Sequence, residues 1–564
     1  MPIDKLMHLY SSAGSFQEKS TRKKVKDVIA NAVSKKACVN VRKKITVKVR
    51  FRKEIKKSEI RHVLVSKISC CELHPAITGL LSRKLRVVWR RNRSVSEILC
   101  NHKAYSKKED SSCTCAHFDL PRSDSHILTR IADVGLLPQF VLNGKNVTCP
   151  KLKTTEEELS ISIRQGLTAA LGQKVAHTLN DWQLGGCFMS GCNRTEEAEE
   201  ELVFAVKRKY RELVISQVDR NAGDLVLMCP LLYQRGLYKM FTWNAAYDIA
   251  TSSEKEILTK TKKDYLALGL DKVAAWDSKG AIGKAYVLPK HKDLTRWRPI
   301  VPATNEPTKN GSRLVARALN YLLAKLPAAT HFNLGATAQL KQNLQKAEKK
   351  LQLFGDETMV AGGGFDIKEM FTSLPHAASM EALRWLLQQW KEKGYSSVTV
   401  SKRGKFATLG VKFYGKSYVK LSLQLLLKFV SFELKHTFNA CKGMILRQRI
   451  GVPMGKNSSP PLACLMCAKF EVDFLKSLGK ERRLVHGVRF MDDVSLTVAF
   501  NRGKERSVQR AVQIMESFQE CYGSELSLAR TDDESNTFDF IGAQITITAG
   551  NIHFFMEPEV KNEY

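Results

Sequence analysis

Val488-Arg489-Phe490-Met491-Asp492-Asp493-Val494-Ser495-Leu496-Thr497-Val498 sets two adjacent aspartates between two short apolar runs. Alternating apolar residues on both sides predict two strands, so the acids sit at the tip of a hairpin. Neighbouring carboxylates at such a tip repel each other, and a third one nearby worsens the crowding unless a cation compensates. Taken alone, the pair also fits a plain solvated turn. Its surroundings decide otherwise.

A third aspartate lies upstream. Met359-Val360-Ala361 runs through three glycines into Phe365-Asp366-Ile367, which places Asp366 at the end of a strand. Phe371-Thr372-Ser373-Leu374-Pro375 follows and opens into a helical pattern. Leu383, Leu386, Leu387 and Trp390 share one face of that helix, which should stop at Gly394 and cover the back of a sheet. Between the acidic segments lies Gly451-Val452-Pro453-Met454-Gly455-Lys456-Asn457-Ser458-Ser459-Pro460-Pro461, leading into Leu462, Leu465, Met466 and Phe470 at helical spacing. Ser458 or Ser459 can cap this helix, and glycine ahead of it lets backbone approach a ligand closely. If Asp366 lies beside the hairpin tip, the acids can hold two divalent ions about 3.5–4 Å apart. Oxygen-only ligands favour Mg²⁺ or Mn²⁺ over zinc.

In chain order, Phe365-Asp366, the Gly451–Pro461 loop and Phe490-Met491-Asp492-Asp493 resemble motifs A, B and C of reverse transcriptases. Leu288-Pro289-Lys290-His291-Lys292 and Arg296-Trp297-Arg298-Pro299-Ile300-Val301 resemble the fingers motifs. Within that class the pattern is most similar to Penelope-like retroelements. Val218-Asp219-Arg220-Asn221-Ala222-Gly223 would be their Asp-Lys-Gly box in altered form, its lysine replaced and one residue added. Thr437-Phe438-Asn439 through Gln448-x-x-Gly451 resembles the hairpin before motif B, and Phe538-Asp539-Phe540-Ile541-Gly542 the segment near the primer grip.

The resemblance implies an α+β right-hand polymerase with fingers and an antiparallel palm sheet backed by helices. It implies RNA-directed DNA synthesis with RNA template, DNA or RNA primer, deoxynucleotides and two Mg²⁺ (or Mn²⁺) ions as partners. Asp366, Asp492 and Asp493 would be catalytic, with the Ile367 backbone as a further metal ligand. Arg298, Lys290, Phe371, Met454 and Gly455 would bind nucleotide, and Phe540, Ile541 and Gly542 would form the primer grip. Phe371, five positions after Asp366, would clash with a ribose 2′-hydroxyl. A short or absent thumb is expected, since the chain given ends at Tyr564. The expected divisions are a basic extension over residues 1–154, fingers over 155–350, palm over 351–550 and a tail over 551–564. An inactive nucleic-acid-binding descendant is the alternative, as is a telomerase-like or viral RNA polymerase. Residues 1–200 show no recognisable RNA-binding domain, and a Gly-Asp-Asp tip is missing.

Composition agrees with a polyanionic partner. Lys and Arg outnumber Asp and Glu by 90 to 56, a formal charge of +34. Residues 1–110 hold 28 of these cations against 9 acids, so that end reads as a phosphate-binding arm or a solvated basic tail. Fourteen cysteines without a signal-peptide pattern fit a reducing compartment, nucleus or cytoplasm. No run is long and apolar enough to predict a membrane span. Cys100, His102, Cys113, Cys115 and His117 could supply a zinc site, yet their one-residue spacings depart from the usual knuckle and favour ordinary thiols.

Overall fold

The computed structural model describes every residue except 14–18, 51–54, 91–92, 110, 136, 150–155, 173–183, 189–197, 356, 411–414, 416, 534, 549–551 and 559–564. The chain divides into two compact units, residues 1–99 with 135–211, and residues 100–134 with 212–564.

In the first unit the alternation of Ile45, Val47 and Val49 with Lys44 and Lys48 produces the strand Thr46–Arg50, paired in parallel with Arg86–Arg90. The alternation in the sequence, Ile45–Phe51, predicts a strand there, and its last residue, Phe51, lies outside the described residues. Helices Lys57–Ser69, Pro75–Arg83 and Glu156–Leu171 send Ile60, Leu64, Ile68, Leu81, Leu159, Ile163 and Leu167 into one core with these valines. The basic end is therefore a folded unit with its own apolar core, not a solvated tail. Cys187 joins that core, while Cys192 lies outside the described residues.

The boundary expected at residue 154 is also corrected. Helix Glu156–Leu171 packs backwards onto residues 45–49, whereas strand His126–Arg130 pairs forwards with Asn221–Met228 and Arg130 salt-bridges Asp224. Hydrogen bonding and packing thus assign the two stretches to opposite units. Residues 551–564 are not simply a tail either. Phe554–Pro558 forms a third strand on the hairpin Thr537–Phe540 and Ala543–Ile547.

The second unit centres on a four-stranded antiparallel sheet in the order Val485–Phe490, Asp493–Asn501, Thr358–Ile367, Leu528–Arg530. Side chains alternate across it. Phe365, Ile367, Val494, Leu496 and Val498 face the helices His376–Glu392, Ser459–Ser477 and Glu505–Gln519 and share their core. Val360 and Ala499 face the other way, where Phe538, Phe540, Ile545 and Ile547 cover them. Asp366 and Asp493 fall on this second face by parity. The glycines before Asp366 allow the cover to come close: a Cβ on Gly362 would overlap Ile547, and one on Gly364 would meet the Phe538 Cβ at 3.0 Å.

Helix His376–Glu392 buries Leu383, Leu386, Leu387 and Trp390 as its spacing predicts, and Gly394 follows in a left-handed conformation at φ 81°. Ser458 precedes helix Ser459–Ser477 without capping it. Its hydroxyl accepts from Ser312 Oγ at 3.2 Å instead.

A buried ion pair ties the sheet to this helix. Arg489 and Glu471 are both inaccessible to solvent, with Arg489 Nε donating to Glu471 Oε1. The guanidinium also donates to the Cys464 carbonyl at 3.1 Å and the Met491 carbonyl at 3.3 Å. Glu471 is further satisfied by the Tyr522 hydroxyl (3.1 Å) and the Phe332 amide (2.8 Å). Removing one partner leaves the other charge buried and alone. Arg489→Met should cost about 3–5 kcal/mol in chemical denaturation of this unit. A loss below about 1 kcal/mol, the size of a surface pair, would contradict that role.

Candidate active site

Asp366 and Asp493 are direct cross-strand partners, the last matched pair between Thr358–Ile367 and Asp493–Asn501. Asp492 sits in the tight turn joining Phe490 to Asp493, a turn made possible by Met491 in a left-handed conformation at φ 61°. The Ile367 amide donates to the Asp492 carbonyl at 2.9 Å and locks the turn against the neighbouring strand. Three carboxylates thus share one corner of the sheet. Ile367 itself buries its side chain among the core residues, which leaves only its backbone carbonyl for a ligand role.

Electrostatics record the crowding. Burial, then Asp492 and Asp366, push the Asp493 carboxyl up to about 6 against the pull of Arg220 and Lys292. Two cations offset the cluster. Arg220 Nη2 bonds Asp492 Oδ2 at 2.7 Å, and Lys368 Nζ bonds Asp366 Oδ2 at 2.8 Å. Burial opposes the Arg220 charge, but Asp492, Asp493, Asp219 and Asp366 together hold the guanidinium above its ordinary range.

Arg220 is a site residue that sequence reading passed over. It belongs to the altered box Val218–Gly223, and its left-handed conformation (φ 63°) turns the chain between strands Val214–Val218 and Asn221–Met228. Asp219, its neighbour, salt-bridges Arg298, and its amide donates to the Pro289 carbonyl at 2.9 Å. A cation replacing lysine near the carboxylates was the available signal, visible only once the box is accepted despite its extra residue.

Arg298 and Lys290 lie on paired strands, Tyr286–Pro289 with Trp297–Ile300 and the residue just beyond, and the Lys290 amide donates to the Arg296 carbonyl at 2.8 Å. Arg298 Nη1 reaches Met454 Sδ at 3.7 Å, which links these strands to the glycine loop. The Val301 amide donates to the Met454 carbonyl at 3.0 Å, and a Cβ on Gly455 (φ 138°) would overlap the Val301 carbonyl oxygen. Only glycine fits there. Phe371, half-buried on the short helix Met370–Ser373, accepts the Val452 amide at 2.7 Å and so adjoins the same loop. Lys456 anchors the loop from beneath. It is buried between Glu306 at 3.3 Å and Glu433 at 3.9 Å, carboxylates that outweigh the burial opposing its charge.

Ile541 and Gly542, at φ 48° and 79°, form the two-residue turn between Thr537–Phe540 and Ala543–Ile547. Phe540 is buried in the cluster that also packs Val488 and Phe490, residues of the strand leading to Asp492.

The cysteine and histidine residues behave differently from their expected grouping. Cys113 and Cys115 stand together, but His117 bonds Glu212 at 2.9 Å. His102 is buried against the Tyr286 ring, and burial lowers its pKa to about 4. Cys100 is held apart with its thiol pushed to about 12 by burial. Those three residues do not join the Cys113–Cys115 pair: Glu212 holds His117, the Tyr286 ring packs on His102, and Cys100 lies just ahead of helix His102–Tyr105.

No protein-family model and no curated protein matches this sequence. Among solved structures, the chain is similar to telomerase from Candida albicans in complex with a TWJ fragment of telomeric RNA. The TM-score is 0.48 at 14% identity, over 90% of this chain and 80% of that one. Apo telomerase from Candida Tropicalis, truncated from its C-terminal domain, gives 0.45 at 12% identity over 91% and 99%. BmCPV RNA-dependent RNA polymerase at elongation state gives 0.33 at 11% identity over 59% and 30%.

A carboxyl raised by folding gains stability that is full below its unfolded value and is lost as pH rises through its folded value. Asp493 accordingly stabilises the fold at low pH and loses that contribution between about pH 4 and 6. A divalent ion held by Asp493 would compete with the same proton. Mn²⁺ affinity, followed by electron paramagnetic resonance, should rise through pH 6, and the rise should vanish in Asp493→Asn. A pH-independent affinity would contradict the assignment.

Proposed function

We propose that the chain is a template-directed nucleotidyltransferase of the reverse-transcriptase kind, most like those of Penelope-like retroelements. The observation that carries this reading is the facing of Asp366 and Asp493 across one sheet, with Asp492 at the adjoining turn. Oxygen ligands of this number and charge suit Mg²⁺ or Mn²⁺. A pair of such ions, when bound, lowers the pKa of a primer hydroxyl and neutralises the departing pyrophosphate.

The chain's own residues supply the rest. Asp366, Asp492 and Asp493 would hold the ions, Arg220 and Lys368 exchanging their carboxylate bonds for nucleotide or metal contacts. Arg298, steadied by Asp219, would hold the triphosphate with Lys290 beside it. The Met454–Gly455 backbone would lie against the nascent pair, since glycine there removes the side chain that would intervene. Phe371 would exclude a 2′-hydroxyl and so favour deoxynucleotides. The Ile541–Gly542 turn would support the primer end. RNA template is the expected guide, in nucleus or cytoplasm, and a groove on the first unit lined by Lys44, Lys48 and Arg90 offers phosphate contacts.

Primer extension with Mg²⁺, on RNA and DNA templates, tests the reading. Asp492→Asn should lower extension by about 1000-fold or more, through loss of metal ligation, while leaving template affinity unchanged. Extension equal to the parent would remove the proposal. Phe371→Ala should admit ribonucleotides, raising their incorporation relative to deoxynucleotides by about tenfold or more. Unchanged sugar selectivity would show that another residue performs the selection.

A further inference from the structure

We propose that Cys113, Cys115, His126 and Cys229 form a structural zinc site in the second unit. The four side chains come from three places: a loop, the first residue of strand His126–Arg130, and the residue between strand Asn221–Met228 and helix Pro230–Leu237. Antiparallel pairing of those two strands brings them together. Leu128 faces Met228, and the Cys229 amide donates to the Ile127 carbonyl at 2.9 Å. Cys115 is fixed by Arg122, which donates to its carbonyl at 3.0 Å, and Thr114 Oγ1 donates to the Glu212 carbonyl at 3.2 Å.

Four ligand atoms result, all within 4.8 Å of one another. Cys113 Sγ lies 3.6 Å and Cys115 Sγ 3.8 Å from His126 Nδ1, and Cys113 Sγ lies 3.8 Å from Cys229 Sγ. Bonds of about 2.3 Å to sulfur and about 2.0 Å to nitrogen give a tetrahedron with edges of about 3.8 Å between sulfurs and about 3.6 Å from sulfur to nitrogen. The Cys113–His126, Cys115–His126 and Cys113–Cys229 separations match those edges, and every other pair lies within 4.8 Å. A disulfide would need sulfurs about 2.0 Å apart, far closer than Cys113 and Cys229 stand.

Chemistry selects the ion. Three thiolates and an imidazole suit Zn²⁺, and four protein ligands close the shell as in structural rather than catalytic sites. The Ile127 amide donates to Cys115 Sγ at 3.2 Å, the outer hydrogen bond that a metal-bound thiolate accepts, and the Arg122 cation beside the loop offsets the excess negative charge. Such a clamp would tie the Cys113–His126 segment to the end of the strand bearing Asp224. Asp224 in turn holds Arg130, whose guanidinium donates to the His291 carbonyl at 2.6 Å, next to Lys290 and Lys292. Zinc would therefore stiffen the strands that carry the proposed nucleotide-binding cations.

Metal content of the full-length protein, purified from zinc-supplemented culture, is the test, with Co²⁺ replacement as the spectroscopic readout. About one zinc per chain is expected, along with the visible bands of tetrahedral thiolate-bound Co²⁺. Cys113→Ser and Cys229→Ser should each weaken zinc binding by about 100-fold and alter those bands, while Cys100→Ser and His117→Ala leave both unchanged. Should Cys229→Ser fail to fold by circular dichroism, Cys113→Ser decides, since its thiol is exposed. Folded parent protein that takes up neither metal, a Cys113–Cys229 disulfide by mass spectrometry, or full zinc retention in folded Cys113→Ser would each overturn the site. The readout is independent of primer extension, so its failure and that of the polymerase reading are separable.

Discussion

Three carboxylates confined to one corner of a sheet repel each other, and the second unit is organised around holding them there. Strand register brings Asp366 opposite Asp493, and a left-handed Met491 sets Asp492 beside them. Asp493 shows the strain as a carboxyl raised to about 6 by burial and by its acidic neighbours. Arg220 and Lys368 relieve part of the repulsion. A divalent pair, as proposed, would relieve more of it.

Rigid supports surround the corner. Arg489 reaches from the strand before the turn to Glu471 and the Cys464 carbonyl on helix Ser459–Ser477, so the turn is tied to the helix that follows the glycine loop. Lys456 fixes the same loop through Glu306 and Glu433. On the opposite face, glycines at 362 and 364 admit the Phe538 and Ile547 side chains, and the Phe540 and Ile541 side chains pack with Val488 and Phe490 of the strand that leads to Asp492. The three carboxylates sit half-buried at the end of this packing, where buried pairs and close contacts leave them little freedom.

Much of the second unit was legible because its signals are local. Alternating residues flanking Asp492-Asp493 specify a hairpin, and the four apolar residues of helix His376–Glu392 lie on one face and are buried as their spacing requires. Arg220 escaped notice because its role depends on a carboxylate far along the chain and because its box departs from the family pattern. His126 and Cys229 were missed for the same physical reason, since strand pairing rather than sequence spacing sets them beside Cys113 and Cys115. The first unit was obscured by its charge. Lysines alternate with Ile45, Val47 and Val49, and the helix that completes their core, Glu156–Leu171, arrives only after residues 100–134 have joined the other unit.

Manganese soaked into crystals of the full-length protein and located by anomalous scattering addresses the central claim most directly. The account predicts ions in contact with Asp366, with carboxylate oxygens of Asp492 or Asp493 completing their ligand sets and two ions about 3.5–4 Å apart once a nucleotide is bound. Manganese absent from this corner at saturating concentration, or bound elsewhere while the three aspartates keep only their Arg220 and Lys368 partners, would contradict it.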